Sequence, residues 1–230
     1  MPNWCTNTLI ISGDDTLVMK LKQEVRAIEV DPDTGNSREF PLSLQKIVPM
    51  PHTPEEQYAQ SKDHPIVLSL ESVCTNVGLN ETEEQKIQRS WYGWRVAHWG
   101  TKWDLGENTG VTCTPGFLIY DFDSAWSPPS EAVAVLAAKY PQLMFRHEWH
   151  ETGNDVAGYY IYEHGVVAKH EEGACKDFEF SQWQDEVGDA PTVPLMKAVT
   201  KPKSKKAKKR KPVRKTKKKK PVRGKRKLKS

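Results

Sequence analysis

The sequence predicts an α+β fold, an antiparallel sheet with helices on one face, and three observations carry that prediction. Runs with strand character recur at residues 4 to 12, 117 to 123, 143 to 150 and 156 to 164. A segment with helical apolar spacing follows each of the first two runs. The connections are short, so the natural solution is a set of strands packed under helices on one side.

Residues 4 to 12, Trp-Cys-Thr-Asn-Thr-Leu-Ile-Ile-Ser, form a β-branched run that ends at Gly13, and Asp14 or Asp15 can cap the helix that follows. Leu17, Leu21, Val25 and Ile28 fall at i, i+4, i+8 and i+11, one apolar stripe facing a sheet. Residues 31 to 39 read as a polar loop, and 40 to 48 as a short strand closed by Pro49 and Pro51. The stretch from about 52 to 110 reads as a helical insertion, with helices near 54 to 62, 66 to 77 and 81 to 98. Asn80 and Glu83 make a cap-like start to the last of these, Ile87, Trp91, Trp94 and His98 continue its stripe, and Gly100 stops it. Ser127-Pro128-Pro129 starts a helix that runs from 130 to Tyr140 and ends at Pro141. The order β-α-β, insertion, β-α-β-β describes a ferredoxin-like sandwich.

Charge divides the chain differently from its overall balance of +4. Residues 201 to 230 hold 19 of the 34 Lys and Arg and no Asp or Glu, which leaves 15 basic against 30 acidic residues in the first 200. The expected organisation is therefore an acidic domain over 1 to 190, then a linker and basic tail over 191 to 230. The tail's apolar content is Ala207, Val213, Val222 and Leu228. Such a composition does not offset the entropy of ordering, so disorder is expected there. Residues 208 to 216 (KKRKPVRKT) and 217 to 225 (KKKKPVRGK) are two copies of one unit, and Pro202, Pro212 and Pro221 keep the cations on an extended chain. Lys205, Lys206, Lys208, Lys209, Arg210, Lys211, Arg214, Lys215, Lys217, Lys218, Lys219, Lys220, Arg223, Lys225, Arg226 and Lys227 are the candidate nucleic-acid contacts. Cations on phosphates position a chain without reading bases, so DNA or RNA would be bound without sequence preference.

The N-terminus lacks the pattern of a secretory signal, and no apolar run approaches the length that spans a bilayer, so a cytoplasmic protein is expected. Cys5, Cys74, Cys113 and Cys175 form no C-x-x-C pair, which gives no zinc ribbon or redox dithiol. His147 and His150, on a strand, point to opposite faces and do not make a metal site. Asp121 and Asp123 share a strand face but lack a third ligand, and His98 lies on an apolar stripe. No metal or cofactor is expected.

Six tryptophans cluster in or near the insertion and the second β-α-β unit, and core packing is the commoner role for the Trp91/Trp94 spacing. The segment from Trp99 to Asp104 joins a helix stop to polar and aromatic residues in a loop. Trp99, Thr101, Lys102, Trp103 and Asp104, with Trp126, make the candidate recognition loop.

Met1-Pro2-Asn3-Trp4-Cys5-x-Asn7, Pro49-Met50-Pro51, Trp99-Gly100-Thr101-Lys102-Trp103-Asp104 and Phe122-Asp123-Ser124-Ala125-Trp126-Ser127-Pro128-Pro129 together resemble the YubB ferredoxin-like family of bacteriophages and plasmids. The resemblance covers most of residues 1 to 170. It implies a ferredoxin-like domain in a mobile-element protein of the bacterial cytoplasm, and it implies no reaction. The family name concerns fold, and the chain lacks the clustered cysteines of an iron–sulfur site. The basic tail is an addition to the family pattern.

The leading expectation is a non-enzymatic phage or plasmid accessory protein whose tail binds nucleic acid and whose acidic body binds a host or phage protein. An inhibitor of host defence with a DNA-mimicking body is the alternative, and an enzyme acting through His98, Asp104, Asp121 or Asp123 is the third. Because a tethered acidic body competes for its own tail, an isolated tail peptide should bind DNA or RNA more tightly at low salt than the full-length chain does. A gel-shift comparison giving equal affinities would remove that idea.

Overall fold

The computed structural model describes residues 3–76, 78 and 81–178. The chain divides into two units, Met1–Val199 and Thr200–Ser230, and the description concerns the first. The linker and tail expected beyond residue 190 lie outside the described residues.

The architecture starts with β1 (Trp4–Ser12), capped into α1 (Asp15–Glu24) by Asp14, whose carboxylate accepts the Leu17 N–H at 3.1 Å. A hairpin of β2 (Ala27–Val30) and β3 (Ser37–Phe40) follows, then helices α2 (Leu44–Ile47), α3 (Pro54–Ser61), α4 (Pro65–Asn76), α5 (Glu83–Gln88) and α6 (Ser90–Trp99). The chain returns to the sheet with β4 (Gly110–Thr114) and β5 (Phe117–Ala125), crosses in α7 (Ser130–Lys139), and closes with the meander β6 (Met144–Glu151), β7 (Val156–Glu163) and β8 (Val166–Gly173). The sheet order is β4-β5-β1-β6-β7-β8, with every described pair antiparallel. Its core, β1-α1-β4-β5-α7-β6, is the ferredoxin-like double crossover, extended at one edge by β7 and β8.

Alternation along the strands separates two faces. On the helix side Leu9, Ile11, Leu118, Tyr120, Phe122, Phe145 and Tyr162 bury against Val18 and Leu21 of α1 and Val133 and Leu136 of α7, and Trp94 and Trp99 of the insertion join the same cluster. On the other side Ala157, Tyr159 and Ile161 pack with Phe178. Both faces of β6 and β7 are therefore covered while β8 is largely exposed, and burial of this area is the main source of stability.

A small polar cluster, Asn7, Ser124 and His147, sits inside the helix-side core. The Asn7 amide donates to the Cys5 carbonyl at 2.7 Å and to Ser124 Oγ at 2.9 Å, which leaves its oxygen facing His147 Nε2 at 3.0 Å. Nε2 must then carry the proton, and His147 is the neutral tautomer. Burial pushes its imidazole down to about 3 and pushes the neighbouring Cys5 thiol up to about 12.

Four sequence readings are corrected. The α1 stripe does not reach Ile28: the helix ends at the cap Val25, and Ile28 lies exposed in β2. The loop over 31 to 39 is a turn only over 31 to 36, made by Asp31 accepting the Asp33 and Thr34 N–H groups, with Gly35 at φ 69°, and residues 37 to 39 belong to β3. Residues 40 to 48 are not a strand, because the backbone turns into α2. The third insertion helix is two, α5 and α6, meeting at Arg89, and α5 is capped by Thr82 in a reciprocal pair with Gln85. Glu83 follows that cap, and Asn80 lies outside the described residues. The edge strands β4 and β8 are additions to the sequence reading.

The buried imidazole gives a pH test. Unfolding lets His147 protonate near its ordinary 6.5 while the folded ring stays neutral, so stability falls as pH drops below about 6.5 toward 3, at about 1.4 kcal/mol per pH unit. Burial lowers His98 and His150 as well, with the same sign. Denaturant unfolding across this window should therefore show a shallower loss in His147→Gln than in wild type, and parallel curves would contradict the neutral buried ring.

Candidate functional site

Three of the four sequence motifs meet at one end of the sheet. Gly100 ends α6 in the left-handed conformation, φ 87°, and a Cβ there would stand 2.9 Å from the Pro128 carbonyl oxygen and 3.0 Å from the Ser130 nitrogen. Only glycine lets the end of α6 meet the start of α7 this closely. Ser127 Oγ donates to the Gly100 carbonyl, Thr101 Oγ1 to the Ala125 carbonyl at 2.8 Å, and the Trp126 N–H to the Asn3 carbonyl at 3.0 Å. Ser124 Oγ, already accepting from Asn7, donates to the Ser127 carbonyl at 2.8 Å. The first strand, the loop after α6 and the turn before α7 are thus one hydrogen-bonded joint.

The candidate recognition loop divides by role within this joint. Trp99 is buried, its Nε1 donating to the Val48 carbonyl at 2.8 Å, and Thr101 is buried too. Asp104 is a cap acting from a distance: its carboxylate accepts from Ser43 Oγ and from the Leu44 and Gln45 N–H groups at the start of α2. Trp103 and Trp126 remain at the surface, and Lys102 is half-buried. The Lys102 ammonium lies 4.9 Å from the Trp103 ring centre and 5.7 Å from that of Tyr92. Trp126 is 49 % exposed with φ 74°, a left-handed backbone that costs a bulky residue roughly 1–3 kcal/mol.

Sequence reasoning missed Trp4. It is 53 % exposed, and its ring centre is 6.0 Å from that of Trp103, which is 36 % exposed. Alternation could have found it, since Trp4, Thr6 and Thr8 share the face opposite the core residues Cys5, Asn7 and Leu9. On that face Thr6 Oγ1 donates to Asp123 at 3.0 Å and Thr8 Oγ1 to Asp121 at 2.7 Å, each from the directly opposed position on β5.

The enzymatic candidates stand apart. His98 stacks on Trp94 at 4.5 Å within α6, Asp104 caps α2, and Asp121 and Asp123 line the opposite face of the sheet. His150 joins that face across β1, opposite Thr6, while His147 lies in the core. Among the described residues no group of three His, Cys, Asp or Glu side chains is arranged to hold a metal ion. No described helix is long and apolar enough to cross a membrane. A cavity of about 260 Å³ lies within the insertion, lined by Tyr58, Ser61, Trp91, Tyr92 and Lys102, with Lys86 paired to Glu71 and Glu83. It is smaller than most ligand pockets. The candidate tail contacts, from Lys205 to Lys227, lie outside the described residues.

A family model described as a ferredoxin-like domain in Api92-like protein matches residues 98–190. The fold is similar to the crystal structure of a protein Api92 from Yersinia pseudotuberculosis, at 13 % identity and a TM-score of 0.44, over 76 % of this chain and 99 % of that one. No curated protein matches the chain in sequence. The family match supports the ferredoxin-like assignment already evident from strand order.

The two exposed roles and the structural ones separate by mutation. Asp104→Ala strands three donors at α2 and should cost about 1–3 kcal/mol, lowering the thermal midpoint by about 2–4 °C per kcal/mol. Trp126→Gly relieves a left-handed backbone and should leave the midpoint unchanged or raise it. Calorimetry of the two variants checks both signs.

Proposed function

We propose that this chain is a non-enzymatic accessory protein of a bacteriophage or plasmid, similar to the YubB family, working in the bacterial cytoplasm. Its basic tail binds nucleic acid without reading sequence, and its body binds a protein partner. The observation that carries the reading is the segregation of charge: 19 cations and no carboxylate in residues 201 to 230, against a net of −15 in residues 1 to 200. A run of this kind attracts phosphate backbones through counterion release, with little dependence on base identity. The body supports the second half of the reading, because three tryptophans at one end of the sheet, Trp4, Trp103 and Trp126, are exposed. Exposed tryptophans are costly to leave in water and are common anchors of protein contacts.

The tail half predicts a steep salt dependence. If about ten tail charges neutralise phosphates, log K falls with log salt at a slope near −9 for duplex DNA and near −7 for a single strand. Removal of residues 201 to 230 should abolish binding to both, measured by fluorescence anisotropy of labelled oligonucleotides. Retained affinity in the shortened chain would overturn this half of the proposal, and comparison of DNA with RNA probes gives the preferred polymer.

A further inference from the structure

We propose that the tryptophan end of the sheet docks an arginine-rich segment of a partner protein. Trp4 and Trp126 take guanidinium planes on their ring faces, and Asp123 and Asp121 pair with the charge. The inference deepens the partner half of the proposed function and rests on it.

Three observations point to this chemistry. The first is the placement of charge. Trp4, Asp123 and Asp121 share one face of β1 and β5: Thr6, two residues along from Trp4, is opposite Asp123, and Thr8 is opposite Asp121. Each step of two residues along a strand advances about 6.6–6.8 Å, so both carboxylates lie within the reach of a ligand seated on Trp4. They would repel phosphates and attract cations, and the acidic balance of residues 1 to 200 acts in the same direction over longer range.

The second is that indole rings in this protein already hold cations. The Arg95 guanidinium lies 5.4 Å from the Trp91 ring centre and 5.0 Å from that of Trp99, and Lys102 sits over Trp103. Guanidinium is the better fit of the two for an external ligand, because its plane stacks on an indole while its edge presents two parallel N–H donors to a carboxylate.

The third is preorganisation. Trp126 is held in a left-handed backbone between a bond to Asn3 on one side and the Ser124, Ser127 and Gly100 bonds on the other. Its exposure is thus built into the joint, and little conformational freedom remains to be lost on binding. Trp and Arg are the residues most enriched among the energetically dominant contacts of protein complexes.

The test titrates the full chain into a labelled oligoarginine peptide of about nine residues at about 150 mM KCl, where long-range attraction is largely screened. Trp4→Ala and Trp126→Ala should each weaken binding about tenfold. Asp123→Asn keeps an acceptor for Thr6 and removes only the charge, so its expected threefold to tenfold loss does not depend on refolding of the site, roughly the effect of one exposed pair. Oligolysine of the same length should bind more weakly than oligoarginine. Unchanged affinity in the tryptophan variants overturns the site. Tryptophan variants that instead lose affinity for a single-stranded oligothymidylate also overturn it, and assign the indoles to nucleobases. An uncharged peptide binding as tightly as oligoarginine overturns the cationic assignment while leaving the body a partner surface. The salt and tail-deletion measurements on nucleic acid are read separately from all of these.

Discussion

The buried amide of Asn7 is the interaction on which the rest of the architecture depends. It stands in the middle strand of the sheet and joins three strands through one side chain: Cys5 on its own strand, Ser124 on β5 and His147 on β6. A polar group in this position would cost several kcal/mol unless its bonds were made, and here its donors and its acceptor each meet a partner. The same requirement fixes register, because a one-residue slip of β1 would carry Asn7 to the other face and Thr6 into the core. From Ser124 the bonding continues to Ser127 and then to Gly100, so the packing of the core reaches the surface loop without a flexible step.

That continuity explains how an insertion of more than sixty residues can sit between α1 and β4 without loosening the sheet. Its exit is fixed by the contact of Gly100 with Pro128 and Ser130, and its entry by Asp104, which reaches back to hold the first turn of α2. Trp99 closes the remaining gap by bonding to Val48. The cost of closing a long loop rises slowly with its length, so fixing two ends is an efficient way to carry a large insertion. The same joint leaves Trp126 in a strained backbone at the surface, where a packing role alone would not require it.

Much of this was legible in local sequence. The β-branched run from Trp4, the proline start and alanine-rich body of α7, and the hydrophobic pattern of β6 and β7 each state their structure within a window of ten residues. What was not legible depended on distant partners or on edges. The α2 helix is four residues long and takes its cap from Asp104, sixty positions away, so nothing near Leu44 announces it. The β8 strand, Val-Val-Ala-Lys-His-Glu-Glu-Gly, is an edge whose charged residues suit solvent and mask its period. Ile28 continued a helical spacing that the backbone had already left at Val25. In the candidate site, tryptophan content drew attention to the right loop but not to which rings stay exposed. That depended on the pairing of Trp4 with Ala125 across more than a hundred residues.

The order of strands along the chain also bears on how the molecule assembles. The meander of β6, β7 and β8 is local, turned at Asp155 and at His164 and Gly165 with left-handed backbones, and can form early with α7 beside it. The central strand comes from the far end of the sequence, with 140 positions separating Asn7 from His147 and 117 separating it from Ser124. Closing those distances carries the larger loop entropy, so the topology favours β1 as the last strand to join the sheet. Trp4 arrives with it, and only then does its ring stand beside that of Trp103, 6.0 Å away between centres. A partner seated on Trp4 would therefore distinguish finished molecules from partly folded ones, so such a docking surface would double as a check on the completeness of the chain that carries it.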